Sequence, residues 1–236
     1  MNSSTPLPAA LIFDMDGVLV DSNPFHLQKW IDLLNRHQIP FNPDELPKQI
    51  LGHRNDTAFR HFFGPELTAE ETRRLSEELE GTFREAFKPH AKPLPGLETL
   101  IAEGRRAGVP MAVASSAMRK NVEFVADALG FRPYFRFLVT GDEVSHPKPD
   151  PEIYLKTAGQ LGCDPATCVA FEDSFVGIES AKRAGMKCVA IASTFPFEEL
   201  AKQTHADLTV ASFEEVSLAR LARLFEAVAQ PPNRGS

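Results

Sequence analysis

The chain has 236 residues, of which 43% are hydrophobic and 24% are charged. This composition is typical of a folded globular protein, and it excludes disordered chains, collagen-like repeats and disulfide-rich miniproteins. The formal net charge is −7, so we expect no nucleic acid partner, because an acidic surface repels a phosphate backbone. The length predicts one large domain or one and a half.

The cysteines and the N-terminal segment bear on where the protein works. The number of cysteines is odd, which favours a reducing compartment; they are Cys163, Cys168 and Cys188. The N-terminal segment has no basic region before its apolar run, unlike a secretory signal. No part of the chain approaches the roughly 18 uncharged apolar residues of a membrane span. We therefore expect a cytoplasmic protein with no membrane partner.

Short apolar runs predict the strands of one sheet. They lie at 9–13, 109–114, 135–140, 168–171 and 187–192, with a weaker run at 207–210. Between them apolar residues recur with helical spacing, as from Val122 to Leu129, and Gly130 and Gly162 predict helix ends. Strands that alternate with helices favour a parallel sheet covered by helices on both faces, which is an α/β fold.

The segment from 24 to 92 breaks this alternation. It contains no convincing strand, and its apolar residues follow helical spacing. Thr68 and Glu71 predict a capping box at the start of one of its helices. The Pro-rich stretch 92–96 predicts a linker where the segment ends. The predicted domains are therefore an inserted all-helical domain, 24–92, and an α/β core of residues 1–23 and 93–236.

Polar residues follow the predicted strands, at the edge of an open parallel sheet where ligands bind. In chain order they are Asp14 and Asp16, Ser115 and Ser116, Lys148, and Glu172 with Asp173. Carboxylates gathered without a counter-charge repel one another, so the cluster implies Mg²⁺, a hard cation that prefers oxygen ligands. The hydroxyls and the lysine predict a neighbouring site for an anion of phosphate size.

Each group has a simpler explanation when it is taken alone. The aspartates are typical of a turn, the serines of a helix N-cap, and Lys148 of a solvated loop. Because all these groups come near the ends of predicted strands of one sheet, together they favour a site for phosphoryl transfer. A carboxylate such as Asp14 can attack phosphorus and form an acyl phosphate. A second carboxyl, Asp16, can protonate the leaving oxygen and later activate water.

Four segments resemble the motifs of the haloacid dehalogenase-like phosphotransferases. They are FDMDGVLVDS (13–22), VASS (113–116), HPKPDPEIY (146–154) and FEDSFVGIESAKRAGM (171–186). The resemblance extends over essentially the whole chain and implies a Rossmann-like core. The insert after the first motif resembles the small helical cap of the branch that holds phosphoglycolate phosphatases, β-phosphoglucomutases and sugar-phosphate phosphatases.

The resemblance implies a metal site and an acid–base residue. Asp14 is the expected nucleophile and a Mg²⁺ ligand. Asp16 is the expected general acid and base, and its backbone carbonyl is a further ligand. Asp173 is the third expected protein contact of the metal, with Glu172 nearby through water.

The same resemblance implies how the phosphate is held. Ser115 and the Ser116 amide are expected to bind the phosphoryl group. Lys148 is expected to bridge the phosphate and the nucleophile. The implied reaction passes through an aspartyl-phosphate.

Four residues of the predicted cap are candidates for substrate contact: His26, Gly52, His53 and Arg54. In β-phosphoglucomutase-like relatives, a His at the position of His26 helps couple cap closure to the acid–base residue. Gly52-His53-Arg54 resembles the substrate loop of sugar-phosphate members, in which Arg54 would hold a sugar hydroxyl or a distal phosphate. The alternatives are a half-buried helix histidine and an arginine at a helix start.

The leading prediction is a Mg²⁺-dependent phosphatase of a small phosphorylated metabolite, such as a sugar phosphate. A β-phosphoglucomutase-type isomerase would use the same Asp14, but those enzymes have a lysine at the position of Leu51. A haloalkanoate dehalogenase would leave Asp16 and Asp173 without a role. A phospho-accepting receiver domain is about half this length and has no helical insertion. A binding protein without activity is disfavoured because no catalytic position is missing.

Overall fold

The structure confirms the predicted α/β class with a Rossmann-like parallel sheet. A computed structural model describes residues 6–80 and 83–226; the others, including residues 1–5 of the N-terminal segment considered above, lie outside the described residues. The strands are β1 (Ala10–Phe13), β2 (Met111–Ser115), β3 (Phe135–Thr140), β4 (Cys168–Glu172), β5 (Lys187–Ile191) and β6 (Leu208–Val210). All neighbours pair in parallel, in the order β3-β2-β1-β4-β5-β6. The strand predictions are therefore correct to within two residues at either end.

Helices fill the described part of the chain between β1 and residue 92. They are α1 (Asn23–Arg36), α2 (Leu46–Ile50), α3 (Asn55–Phe63), α4 (Ala69–Glu80) and α5 (Phe83–Phe87). The predicted capping box starts α4: the Glu71 amide donates to Thr68 Oγ1 at 3.2 Å, and the Thr68 amide donates to Glu71 Oε2 at 2.9 Å. The rings of Trp30 and Phe59 pack with their centroids 4.9 Å apart and join α1 to α3.

The remaining helices cover both faces of the sheet. They are α6 (Leu97–Ala107), α7 (Arg119–Ala128), α8 (Glu152–Leu161), α9 (Phe175–Arg183), α10 (Phe197–Gln203) and α11 (Leu218–Ala222). In β1, Leu11 and Phe13 pack in one cluster with α6, α7 and α11, and Ala10 and Ile12 pack in another with α8, α9 and α10. Burying a large apolar side chain such as Phe13 stabilises the fold by about 1.5–3 kcal/mol. Within the described residues, no helix is long and apolar enough to cross a bilayer.

Candidate active site

The carboxyl ends of the three central strands carry the first group of predicted residues. Asp14 follows β1, Ser115 ends β2 and Glu172 ends β4. Because β1 lies between β2 and β4, these strand ends are neighbours where the strand order reverses. The Asp14 amide still donates to the Phe171 carbonyl, at 3.0 Å. The sheet therefore fixes Asp14 between the other two strand ends.

Lys148 is a buried ammonium with a complete set of acceptors. Its side chain is 1% exposed. Nζ donates to Asp14 Oδ1 at 2.7 Å, to Glu172 Oε1 at 2.6 Å and to the Ala114 carbonyl at 3.2 Å, so each of its three hydrogens has one acceptor. Burial by itself lowers the pKa of Lys148, but the two carboxylates outweigh this effect and raise the pKa. Lys148 is therefore a positive charge held against Asp14.

The carboxylate of Glu172 is wholly buried and bonded to protein groups. Besides Lys148, Oε1 accepts from the Tyr154 hydroxyl at 2.6 Å, and Oε2 accepts from the Ser174 hydroxyl at 3.3 Å. A Cβ on Gly177 would lie 2.0 Å from Oε2, so the carboxylate occupies space that only a glycine leaves open. These contacts make Glu172 an anchor for Lys148. Its predicted contact with a metal through water stays a prediction.

Three buried carboxylates gather around Asp14. Oxygens of Asp14, Glu172 and Asp173 all lie within 4.8 Å of one another. Burial, offset only in part by Lys148, raises the pKa of Asp14 to about 7. Burial and the charges of Glu172 and Asp14 raise the pKa of Asp173 well above its ordinary value. One lysine does not balance three carboxylates, so the cluster has both the excess charge and the oxygen donors that a divalent cation needs.

Two residues that the sequence analysis missed hold Asp173. Asn23 Nδ2 donates to Asp173 Oδ2 at 2.8 Å, and the Thr194 hydroxyl donates to the same oxygen. A Cβ on Gly17 would lie 1.9 Å from that oxygen. Asn23 directly follows the first motif. Thr194 follows β5, so examining the end of the fifth strand as well would have identified it.

Asp16 has a separate set of contacts. The Ser22 hydroxyl donates to Asp16 Oδ1, and His26 Nε2 lies 3.1 Å from the same oxygen. The His26 ring stacks on Phe83, with centroids 4.2 Å apart. Burial favours the neutral acid, but His26 and Ser22 outweigh it and lower the pKa of Asp16. Burial lowers the pKa of His26, but the charge and hydrogen bond of Asp16 outweigh this effect, so the pKa of His26 is raised. The contact therefore favours the charged form of both side chains.

The serines at the end of β2 lie beside the loop that carries Gly52. Ser115 Oγ accepts from the Ala117 amide at 3.1 Å, and the Ser116 hydroxyl donates to the Gly52 carbonyl at 2.9 Å. Gly52 has a φ of +81°, and a Cβ there would lie 2.3 Å from Ser174 Oγ. Both the backbone angle and the close approach require glycine. The loop therefore packs against the residues that follow β2 and β4.

A cavity of about 340 Å³ lies between the strand ends and the helices that follow β1. Predicted residues in its lining are Asp14, Asp16, His26, Gly52, His53, Arg54, Ser115 and Ser116. The structure therefore brings the predicted cap residues to the same cavity as the predicted nucleophile. Lining residues that the sequence analysis missed include Trp30, Asn55, Asp56, Ser76, Glu80 and Asp142. Asp142 follows β3, and Asn55 and Asp56 directly follow Arg54, whereas helix packing brings Trp30, Ser76 and Glu80 to the cavity.

Protein groups already bind most of the Arg54 guanidinium. Nε and Nη2 donate to the two carboxylate oxygens of Asp56, both at 2.7 Å. Nη1 donates to the Val144 carbonyl at 2.9 Å and to the Gly141 carbonyl at 3.3 Å. Arginine has five N–H donors, and these contacts use four of them. Arg54 thus ties the start of α3 to the loop after β3, and its contact with substrate stays a prediction.

Comparison with known proteins decides the family. The sequence profile of the haloacid dehalogenase-like hydrolases matches residues 11–191. The chain belongs to the haloacid dehalogenase-like hydrolase family. Hexitol phosphatase A from Escherichia coli (strain K12) is 32% identical over 89% of this chain and 93% of its own length. Fructose-1-phosphate phosphatase YqaB from the same organism is 30% identical over 78% of this chain and 96% of its own length.

A solved structure with a similar fold supports the assignment of the haloacid dehalogenase-like fold. The crystal structure of β-phosphoglucomutase from Clostridium difficile matches with a TM-score of 0.81 at 25% identity, over 92% of this chain and 97% of that chain. These relatives confirm the family resemblance seen in the four motifs. They also confirm the prediction of a phosphatase-type enzyme of the haloacid dehalogenase-like family.

Proposed function

We propose that the protein is a Mg²⁺-dependent phosphatase that hydrolyses a small phosphorylated metabolite through an aspartyl-phosphate on Asp14. The observation that carries the proposal is the setting of Asp14. This carboxylate follows β1 between the ends of β2 and β4, is paired with the buried Lys148 and lines a cavity. Named relatives are phosphatases of hexitol and fructose phosphates, which supports a sugar phosphate as substrate. The three free thiols support a reducing, cytoplasmic setting.

The donor set around Asp14 fits Mg²⁺. Three carboxylates with one lysine leave an excess of negative charge on oxygen donors, which are the ligands that Mg²⁺ prefers. Asp14, Asp173 and the backbone carbonyl of Asp16 would hold the cation, with Glu172 reached through water. When bound, Mg²⁺ supplies positive charge that offsets the charge of the phosphate and the carboxylates. That charge also favours the ionised form of Asp14, which a nucleophile needs.

The side chains then divide the reaction into two halves. In the first, an Asp14 oxygen attacks phosphorus, the bond to the leaving oxygen breaks, and Asp16 in its protonated form gives that oxygen its proton and becomes a carboxylate. In the second, Asp16 takes a proton from water, and the water oxygen attacks phosphorus and displaces the Asp14 carboxylate as inorganic phosphate forms. Lys148, the Ser115 hydroxyl and the Ser116 amide would stabilise the charge on the phosphoryl oxygens.

Residues 24–92 would form a cap that covers this site and selects the substrate. The segment contributes His26, Gly52, His53 and Arg54 to the cavity that Asp14 lines. His26 lies 3.1 Å from Asp16 and would couple the position of α1 to the acid–base residue. Gly52 and Arg54 supply the contacts through which this segment rests on the ends of the strands.

The alternative is a β-phosphoglucomutase-type isomerase, which the structural similarity to such an enzyme supports. A mutase must bind a bisphosphate, and this calls for a second cationic site in the cap. Leu51 stands where those enzymes have a lysine, and Arg54 is paired with Asp56. Hydrolysis is therefore favoured. We expect no efficient conversion of β-glucose 1-phosphate to glucose 6-phosphate, even after priming with glucose 1,6-bisphosphate; rapid isomerisation with little phosphate release would select the mutase instead.

Asp14→Asn tests the proposal. The amide keeps the shape of the carboxylate but cannot act as an anionic nucleophile, so release of phosphate should fall by about 10³-fold or more. The measurement is phosphate release from a panel of sugar phosphates and an aryl phosphate, with Mg²⁺ or with EDTA. Asp21→Asn is the matched control, because Asp21 is an exposed carboxylate of the same motif. Near-normal turnover by Asp14→Asn, or full activity in EDTA, would contradict the proposed mechanism.

A further inference from the structure

The cavity wall that faces a leaving group is rich in carboxylates. Apart from Asp14 and Asp16, the acidic residues of the lining are Asp56, Glu80 and Asp142, and Arg54 is the one Lys or Arg side chain that the described lining contains. Asp56 neutralises Arg54 through two hydrogen bonds of 2.7 Å, and backbone carbonyls take two further donors. The charge that the wall presents to a ligand is therefore negative.

Glu80 is the buried carboxylate of this wall, and it is 6% exposed. Its Oε1 accepts from Asn55 Nδ2 and its Oε2 from Asn121 Nδ2, both at 2.8 Å. Both donors are neutral amides, and none of the salt bridges found among the described residues includes Glu80. Each oxygen can accept one more hydrogen bond. Glu80 thus has no direct ion pair and keeps free acceptor capacity; the Arg84 guanidinium lies one hydrogen bond further away, on Asn121.

The carboxylate of Glu80 also acts on His26, which lines the same cavity. Burial lowers the pKa of His26, but Asp16 and, to a smaller extent, Glu80 outweigh burial and raise it. A ligand anion next to Glu80 would be repelled by its carboxylate, since interactions between charges are stronger inside a protein than in water.

His53 adds a polar group without charge to the same wall. Burial lowers the pKa of His53, so the imidazole is neutral at neutral pH. Its Nδ1 is buried and has no hydrogen-bond partner among the residues that the structure describes. A buried polar atom of this kind normally has a partner. His53 therefore adds no positive charge to the wall.

We propose that Glu80 sets the substrate class: phosphate monoesters whose leaving group carries hydroxyls and is neutral or cationic. Hydroxyls would donate to Glu80, while a second phosphate or a carboxylate would be placed next to a buried carboxylate that has no direct ion pair. A wall suited to a bisphosphate would present a free lysine or arginine instead. This inference rests on the proposed phosphatase function and specifies its substrates.

The test compares kcat/KM for three kinds of ester in the wild type: 4-nitrophenyl phosphate, a panel of hexose and hexitol monophosphates, and the matching bisphosphates. The leaving group of the aryl ester has no hydroxyls that could bind the cavity wall, so hydrolysis of this ester measures the reaction at Asp14. We expect the best monophosphate to exceed its bisphosphate by at least about tenfold, the effect of one unfavourable charge contact. This comparison needs no variant.

Glu80→Gln then isolates the carboxylate. Arg84 Nη1 donates to Asn121 Oδ1 at 2.8 Å and so keeps the Asn121 amide nitrogen toward Glu80. A glutamine can accept from Asn121 and donate to Asn55 after the Asn55 amide turns over, so the fold should be retained. The ratio of kcat/KM for monophosphate to that for bisphosphate should fall by about tenfold. Asp56→Asn, which releases Arg54, should shift the ratio in the same direction.

Glu77→Gln is the matched control. Glu77 lies on the same helix with its side chain 66% exposed, and its substitution changes the net charge by the same amount. Equal kcat/KM for monophosphates and bisphosphates in the wild type, or an equal shift of the ratio in Glu77→Gln and Glu80→Gln, would overturn the assignment of Glu80 and leave the phosphatase proposal intact. Failure to hydrolyse any ester with Mg²⁺, the aryl phosphate included, would overturn the proposed function and this inference with it.

Discussion

Asp14 and Asp16 are two residues apart, yet their surroundings shift the pKa values of the two carboxyls in opposite directions. Burial raises the pKa of Asp14 to about 7, whereas His26 and Ser22 lower that of Asp16 against the effect of burial. In the proposed mechanism the first must be ionised to attack phosphorus, and the second must deliver a proton. The ionised form of Asp14 therefore depends on a cation, and His26 stabilises the ionised form that Asp16 needs when it later takes a proton from water.

Asp16→Asn should affect substrates according to their leaving group. A sugar alkoxide needs a proton as it leaves, so kcat/KM for a sugar phosphate should fall by about 10²- to 10⁴-fold, the usual contribution of a general acid. An aryl oxide leaves without full protonation, so kcat/KM for 4-nitrophenyl phosphate should fall much less. Steady-state kinetics on both esters measures the difference. Equal losses would show that Asp16 is not the acid.

At the scale of elements, the loop between α2 and α3 joins the helical segment to the sheet. The Gly52 carbonyl accepts from Ser116, which follows β2, and the Gly52 Cα lies against Ser174, which follows β4. Two residues further on, Arg54 binds the loop after β3. This short loop therefore contacts residues that follow three of the strands, and its position controls the shape of the cavity.

Gly52→Ala should reduce activity out of proportion to its effect on stability. The φ of +81° is strained for alanine, and the new Cβ would collide with Ser174 and displace the loop. Backbone strain of this kind costs about 1–3 kcal/mol, and a shift of about 1 Å in a binding group can reduce kcat/KM by about 10²-fold. Gly64→Ala is the control, because Gly64 has a φ of +104° but nothing within 4 Å of the added Cβ. Urea unfolding and kinetics on both variants test this; equal losses of activity would contradict a specific role for the Gly52 contact.

At the scale of the whole molecule, the strand order collects like charges at one point, and stability should depend on pH as a result. The folded-state pKa of Asp14 is about 7, above its ordinary value of 3.8. Between these values the folded protein binds more protons than the unfolded chain, so the contribution of Asp14 to the free energy of unfolding should fall as the pH rises. Asp173 acts in the same direction, since its pKa is also raised.

Urea unfolding in EDTA at about pH 5 and about pH 8 measures this dependence. The decrease in the free energy of unfolding from the lower to the higher pH should be larger for the wild type than for Asp14→Asn, because the variant has no carboxyl at position 14 to titrate. Excess Mg²⁺ at the higher pH should restore stability, because a ligand that binds only the folded state stabilises it. An identical pH dependence in both proteins would contradict the raised pKa of Asp14.

Much of the fold and the central part of the site could be predicted because their signals are local. Each strand is an apolar run, and Asp14, Ser115 and Asp173 stand directly at or after the end of their own strands. The capping box of α4 requires only Thr68 and Glu71, three residues apart. Thr194 was accessible to the same reasoning, since it follows β5.

The sequence by itself determined the alternation of strands and helices, the segment inserted after β1 and the identity of the residues at the strand ends. Only the tertiary structure decided the strand order and the partners of the cavity residues. Arg54 binds a carbonyl 90 positions away, and Glu80 binds an amide 41 positions away. Hydrophobic periodicity specifies which face of a helix is buried, but the side chains that meet across an interface depend on how the helices pack. For that reason the charge of the cavity wall, and the role of Glu80 that we infer from it, came from the structure alone.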